Sequence, residues 1–367
     1  MPHWIIDAHE DLAYNMLTFK RDYRRSALET RRLEQTDPSI FEHNQDCTIG
    51  YPEYQLGQIA VVFSTIFAAP KRYSGGDWET QTYAAAGQGE PLYRAQLDLY
   101  RRMADESPQQ FRLLRTRKDL REHLAEWQQP ANYPEVTHPT GLILLMEGAE
   151  GLRRPQDLED WYQAGLRIVG PVWSGIRYCG GTNEPGGFTR DGWELLQVMA
   201  ELDLILDIAH MTEKSALQAM EEYPGRVIAS HANARALLQN PTNERHLTNQ
   251  TIRRLVERDG VMGLLPFNSF LKVDWKLGDD RSLVTLATLA DQVDYICQLA
   301  GSARNVAIGT DFDGGFGFPR IPEEMNTIAD LQKLPPILLE RGYTDQDVAL
   351  ILGENWRRLL DETLPEG

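Results

Sequence analysis

Short apolar runs rich in β-branched residues recur along the chain, and between them apolar positions fall at helical spacing. Eight runs stand out: Trp4 to Asp11, Ile59 to Ala68, Gly141 to Glu147, Leu166 to Trp173, Leu204 to His210, Arg226 to His231, Val261 to Phe267 and Asn305 to Asp311. Each is short enough for one strand. Helices are predicted over Glu79 to Asp105, Lys118 to Trp127, Pro155 to Ala164, Asp191 to Glu201, Thr212 to Glu222, Thr248 to Arg258 and Leu283 to Leu299. Several of these open on Asp or Thr, whose side-chain oxygens accept from the free N–H groups of a first helical turn.

Strands that alternate with helices imply a parallel sheet with crossover helices, and eight such units favour a closed (β/α)8 barrel over an open doubly wound sheet. Such barrels commonly reach about 250 residues or more as one unit, so residues 1–367 are expected to form a single barrel domain. Residues 18–54 are polar without a clear period and read as an insertion after the first strand, able to overhang a site. The tail 331–361, with its LGENWRRLL segment, reads as helical and is expected to pack across the barrel exterior.

Composition narrows the ligand. With 37 Lys plus Arg against 54 Asp plus Glu, the net charge of −17 repels polyphosphate, which disfavours nucleic acid and anionic membranes and leaves a small-molecule substrate. Cys47, Cys179 and Cys297 form no CxxC pair, so neither a disulfide framework nor a thiolate metal site is expected. The chain shows no signal-peptide pattern and no apolar run of about 18 residues, which points to a cytoplasmic protein.

In a β/α barrel the chemistry sits at the C-terminal ends of the strands, where the loops form the mouth. Five of the eight runs end there in a group able to bind or serve a metal: His9 and Asp11, Glu147, His210, His231 and Asp311. His9 and Asp11, two apart, share one face of a strand. Glu147 closes GLILLM, where a buried carboxylate needs a counter-charge. A metal pair would supply it, and a salt bridge to Arg153 or Arg167 is the alternative. His210 and His231 come from successive strands, a spacing that suits a shared site. Imidazole and oxygen donors without a thiolate point to Zn²⁺, with Mn²⁺, Co²⁺ or Fe²⁺ as substitutes. Asp311 reads as general acid/base, as a ligand, or as a residue shaping the turn, a role that suits Asp313 better.

The order HxD, E, H, H, DFDG on successive strands resembles the membrane (renal) dipeptidases, zinc peptidase family M19, over nearly the whole chain. The resemblance implies dipeptide hydrolysis at two zinc ions: His9 and Asp11 on one, His210 and His231 on the other, Glu147 bridging, and Asp311 acting on the catalytic water. It also implies a homodimer. This chain departs from the family at Trp173, where the family presents a histidine, and at Thr242, where the family has an arginine that holds the substrate carboxylate. Arg245 lies three residues on and is the candidate replacement, so Arg245 and Trp173 are the expected substrate contacts. Glu10, Pro266 and Glu354 are smaller departures.

Two other functions fit the same elements. One is an amidohydrolase-like enzyme for a lactone, phosphoester or other amide, although no lysine lies at a strand end to serve as a carboxylated metal bridge. The other is a noncatalytic barrel that lost turnover along with the family histidine.

Overall fold

Along each barrel strand, successive side chains divide between two apolar clusters, as the period of two in a strand requires. One cluster fills the lumen and holds Ile6, Phe63, Ile143, Ile168, Ile205, Ile228, Val261 and Ala307, one or more from every strand. The neighbouring positions, such as Val62, Leu144, Val169 and Leu206, join the larger cluster between the strands and the outer helices. The computed structural model describes residues 3–238 and 244–367.

The strands are β1 (Ile5–Glu10), β2 (Ile59–Phe67), β3 (Thr140–Glu147), β4 (Leu166–Gly170), β5 (Ile205–Asp207), β6 (Val227–Ala229), β7 (Val261–Leu264) and β8 (Val306–Ile308). All pair in parallel, β1 pairs with both β2 and β8, and the β2–β3 ladder completes the ring. The result is a closed (β/α)8 barrel, with each expected strand in its expected place. Phe111–Leu113 adds a short strand beside the start of β3.

Most predicted helices form close to their expected limits. Thr212 and Thr248 cap Glu213–Glu222 and Asn249–Glu257 by accepting from the backbone of Ser215 and Thr251. The helix expected from Glu79 begins only at Gly89 and runs to Glu106, because residues 79–88 form a loop and the short strand Thr82–Tyr83. The aperiodic stretch after β1 contains three short helices, Ala27–Glu34, Pro38–Asn44 and Tyr51–Gly57.

The tail corrects a second expectation. Its last helix, Asn355–Thr363, puts Trp356, Leu359 and Leu360 into the lumen cluster, so it closes the floor of the barrel instead of lying on its side. The Trp356 ring meets Phe63 at 5.3 Å, and its indole N–H donates to the Ile308 carbonyl at 2.9 Å.

Two lumen glycines shape the upper layer. A Cβ at Gly263 of β7 or at Gly309, just beyond β8, would overlap the Ser230 carbonyl oxygen. Their bareness lets the end of β6 lean across the lumen and carry the next residue, His231, toward the other strands.

Two substitutions test this account by chemical denaturation. Trp356→Ala is expected to cost about 3–5 kcal/mol as a large cavity, and Gly309→Ala about 1–3 kcal/mol as an overpacked layer. An unchanged unfolding midpoint in either variant would refute the corresponding packing.

Candidate metal centre

His9 reaches the mouth through an irregularity in β1. Asp7 pairs with Val62 and Glu10 with Ser64, so three steps of β1 oppose two of β2. Such a bulge reverses the alternation of faces. Simple parity with Ile6 and Ala8 would place Glu10 in the lumen; instead Glu10 turns outward and accepts a hydrogen bond from Tyr54, while His9 faces the site. Thr65 of β2 donates to Asp11 and fixes that carboxylate. Glu147 needs no such device, because it shares parity with the lumen residues Ile143 and Leu145.

At the mouth these side chains converge. Glu147 Oε1 lies 3.0 Å from His210 Nε2, 3.5 Å from His231 Nε2 and 3.6 Å from His9 Nε2. His9 Nε2 is also 4.0 Å from Asp11 and 3.8 Å from Asp311, and the two Nε2 atoms of His210 and His231 are 3.1 Å apart. Donors on a tetrahedral cation with bonds of roughly 2.0–2.1 Å sit at roughly this spacing. Donor atoms cluster as His9, Glu147 and His231 and as His9, Asp11 and Asp311, so His9 is common to both groups. The alternative partners of Glu147 are engaged elsewhere: Arg153 pairs with Glu90 at 2.6 Å, and Arg167 donates to backbone carbonyls.

Whether a cation suits these residues can be judged from their chemistry. Both ring nitrogens of His9 are buried with no hydrogen-bond partner, a costly arrangement unless a ligand uses them. Burial opposes a charged His9, yet Glu147, Asp311 and Asp11 together hold its imidazolium up to about 10. Divalent cations would supply the same compensation and release that proton. Burial, aided by Arg245, lowers His210 to about 4, and burial with His9 takes His231 well below its usual range, so both rings are neutral. Burial also pushes Asp311 well above the carboxylate range, against the pull of His9. The donor set therefore fits divalent metal.

A layer of supporting groups aims these donors, and most of it went unread in the sequence. Asp207 accepts from the Ser230 N–H at 2.9 Å and from the Ser230 hydroxyl, whose oxygen lies 2.8 Å from His231 Nδ1. With Asp207 ionised, the one hydroxyl proton goes to the acid, so Nδ1 donates to the hydroxyl and Nε2 keeps its lone pair for the site. Thr182 Oγ1 lies 3.2 Å from His210 Nδ1. The signal for Asp207 was an acid inside a buried apolar strand.

His210 and Asp311 have φ of 65° and 55°, left-handed backbone that L-residues adopt at a cost of about 1–2 kcal/mol each. The turn after Asp311 is anchored by Asp313, which accepts from Thr48 N–H at 2.8 Å and from Tyr23 at 3.1 Å, and pairs with Arg21 at 2.9 Å. Asp313 thus binds the excursion after β1 to the turn that carries Asp311.

A pocket of about 370 Å³ opens above the cluster and is lined by Asp11, Glu147, His210 and Asp311. Arg245 and Trp173 also line it, as does His43 from the excursion. Arg245 is buried and donates to the His231 carbonyl at 3.0 Å. Thr242 lies outside the described residues. Glu150 stays in the loop after β3, where it accepts from the Trp173 N–H at 3.3 Å. The six candidate residues His9, Asp11, Glu147, His210, His231 and Asp311 therefore meet at one mouth, with Arg245 and Trp173 in the pocket above.

Comparison with known proteins agrees with this architecture. An uncharacterised protein from the pqqA 5′ region of Klebsiella pneumoniae is 32% identical over 229 residues, 60% of this chain and 80% of that protein. An uncharacterised dipeptidase of Schizosaccharomyces pombe is 23% identical over 376 residues, 98% of this chain and 80% of that one. The fold is similar to that of a Rhodobacter sphaeroides metallopeptidase solved with a phosphinate mimic of the dipeptide L-Ala-D-Ala, with a TM-score of 0.76, 22% identity and coverage of 99% and 100%. The family model for membrane dipeptidase, peptidase family M19, matches residues 2–364, and the chain belongs to that family of metal-dependent dipeptidases.

Proposed function

We propose that this chain hydrolyses dipeptides with a water activated at a binuclear zinc centre held by His9, Asp11, Glu147, His210 and His231. The observation that carries this reading is the single Glu147 oxygen facing three imidazoles, with Asp11 and Asp311 within 4.0 Å of the same His9 nitrogen. The side chains suit a division in which His9 and Asp11 serve one ion, His210 and His231 the other, and Glu147 both. Bound there, two such ions would lower the pKa of a water toward neutrality and would add positive charge beside the scissile carbonyl.

The remaining work falls to the protein. Asp311, with 14% of its side chain exposed, is the most open carboxylate of the cluster. Acting from its ionised form, it takes the proton of the attacking water and delivers it to the departing amine. Arg245 receives the substrate's terminal carboxylate, with its guanidinium held beside the cluster by the His231 carbonyl. Trp173 offers a single N–H and no protonatable nitrogen, so a proton-donating part at the fourth strand is removed and its ring serves as a wall of the pocket. We further take the chain to act as one barrel domain in which the excursion 18–54 and the helices of 331–361 are integral parts.

Three outcomes test the reading. Zinc-loaded protein should cleave members of a dipeptide panel and lose that activity on chelation, regaining it with Zn²⁺, Mn²⁺ or Co²⁺; cleavage of lactones or phosphoesters in place of peptides would overturn the substrate assignment. Asp311→Asn should lower kcat by about 10²–10⁴-fold while elemental analysis still finds two metal equivalents, and wild-type turnover in this variant would exclude Asp311 as the proton carrier. Asp207→Asn should weaken metal affinity by about 10–100-fold through the Ser230–His231 chain, measured by competition with a chelator; unchanged affinity would remove that role.

A further inference from the structure

The pocket above the metal cluster has two aromatic walls on opposite sides of the barrel. On one side Tyr14, which follows β1, packs on Phe67 of β2 at 5.5 Å, and Phe67 packs on Trp173 after β4 at 5.1 Å. On the other, Phe267 after β7 stacks on Phe316 at 4.2 Å and meets Phe270 at 4.8 Å. The first wall belongs to neither main core: Tyr14, Phe67 and Ala69, with Phe19 and Trp173 against them, form an apolar cluster of their own. Apolar surface held at a mouth and not spent on the core is suited to a ligand.

Resting on the dipeptidase reading, we propose that the Tyr14, Phe67 and Trp173 wall is a subsite for the first residue of the substrate and selects an aromatic side chain there. The orientation follows from Arg245, whose guanidinium carbon lies 5.6 Å from the Phe270 ring centre. A terminal carboxylate received by Arg245 puts the second residue on the Phe267 and Phe270 side. With the scissile carbonyl at the cluster between the walls, the first side chain projects toward β2 and β4. The three rings themselves carry no charge to hold a basic or acidic side chain. The acids that touch it are engaged with neutral donors: Glu79 accepts from the Tyr14 hydroxyl at 2.8 Å and from the Gly75 N–H at 2.7 Å, and Glu150 from the Trp173 N–H at 3.3 Å. Trp173 is the decisive member, since a ring packed against an aromatic partner gains up to roughly tenfold beyond its area.

The test compares Phe-Ala, Ala-Phe, Ala-Ala, Asp-Ala and Lys-Ala as substrates of the zinc-loaded protein, and the phosphinate isosteres of Phe-Ala and Ala-Ala as ligands by calorimetry. The expected result is a kcat/KM for Phe-Ala at least tenfold above that for Ala-Ala, with a matching order of phosphinate affinity. In Trp173→Ala both ratios should fall below threefold, and Trp173→Phe should restore most of each. Equal use of Phe-Ala and Ala-Ala, a preference for Asp-Ala or Lys-Ala, or a ratio unmoved in Trp173→Ala overturns the subsite and leaves the dipeptidase reading standing. If no dipeptide is cleaved and neither phosphinate binds, both fall together.

Discussion

One buried carboxylate organises the mouth of this barrel. Glu147 ends an apolar strand at 5% exposure, and an ionised acid there costs several kcal/mol unless positive charge or hydrogen-bond donors reach it. Burial alone would raise its pKa, yet His9 and His210 facing it hold it well below the usual carboxylate range. The three imidazoles that meet it come from β1 and from the residues just beyond β5 and β6, so local chain geometry cannot bring them there. Closure of the ring does, because it turns every strand's C-terminal end toward one axis.

Holding that convergence has a backbone cost that the surroundings offset. His210 and Asp311 both sit in left-handed conformations, and each is braced: Thr182 lies against His210, and the Asp311 N–H donates to the His9 carbonyl at 3.1 Å. Strain of this kind persists where neighbouring contacts over-determine the geometry. The excursion after β1 is part of that bracing through Arg21, Tyr23 and Thr48 on Asp313, which explains why a stretch with no periodicity is nevertheless well packed.

The pocket above the six converging side chains departs from the resemblance in a chemically directed way. A histidine at the fourth strand would bring a titratable nitrogen; Trp173 brings a ring that joins Phe67 and lies 6.1 Å from His210. Arg245 shows the opposite behaviour. It puts a guanidinium at the same mouth, where it donates to the His231 carbonyl at 3.0 Å.

Much was legible in the chain because two local rules hold throughout it. Short apolar runs set between segments of helical spacing located all eight strands, and the position of His9, Asp11, Glu147, His210, His231 and Asp311 at strand ends marked the chemistry. Local pattern could not show which face His9 takes, since a one-residue bulge in the β1–β2 ladder reverses it. Nor could it show that Trp356 closes the barrel floor, that Gly263 and Gly309 make room for the Ser230 carbonyl, or that Phe67 of β2 and Trp173, Phe267 and Phe316 from the loops after β4, β7 and β8 line one pocket. Residue order determines what each strand end can do; parity shifts, close approaches and cross-barrel packing arise between segments far apart in the chain, so only the closed structure decides where those groups point.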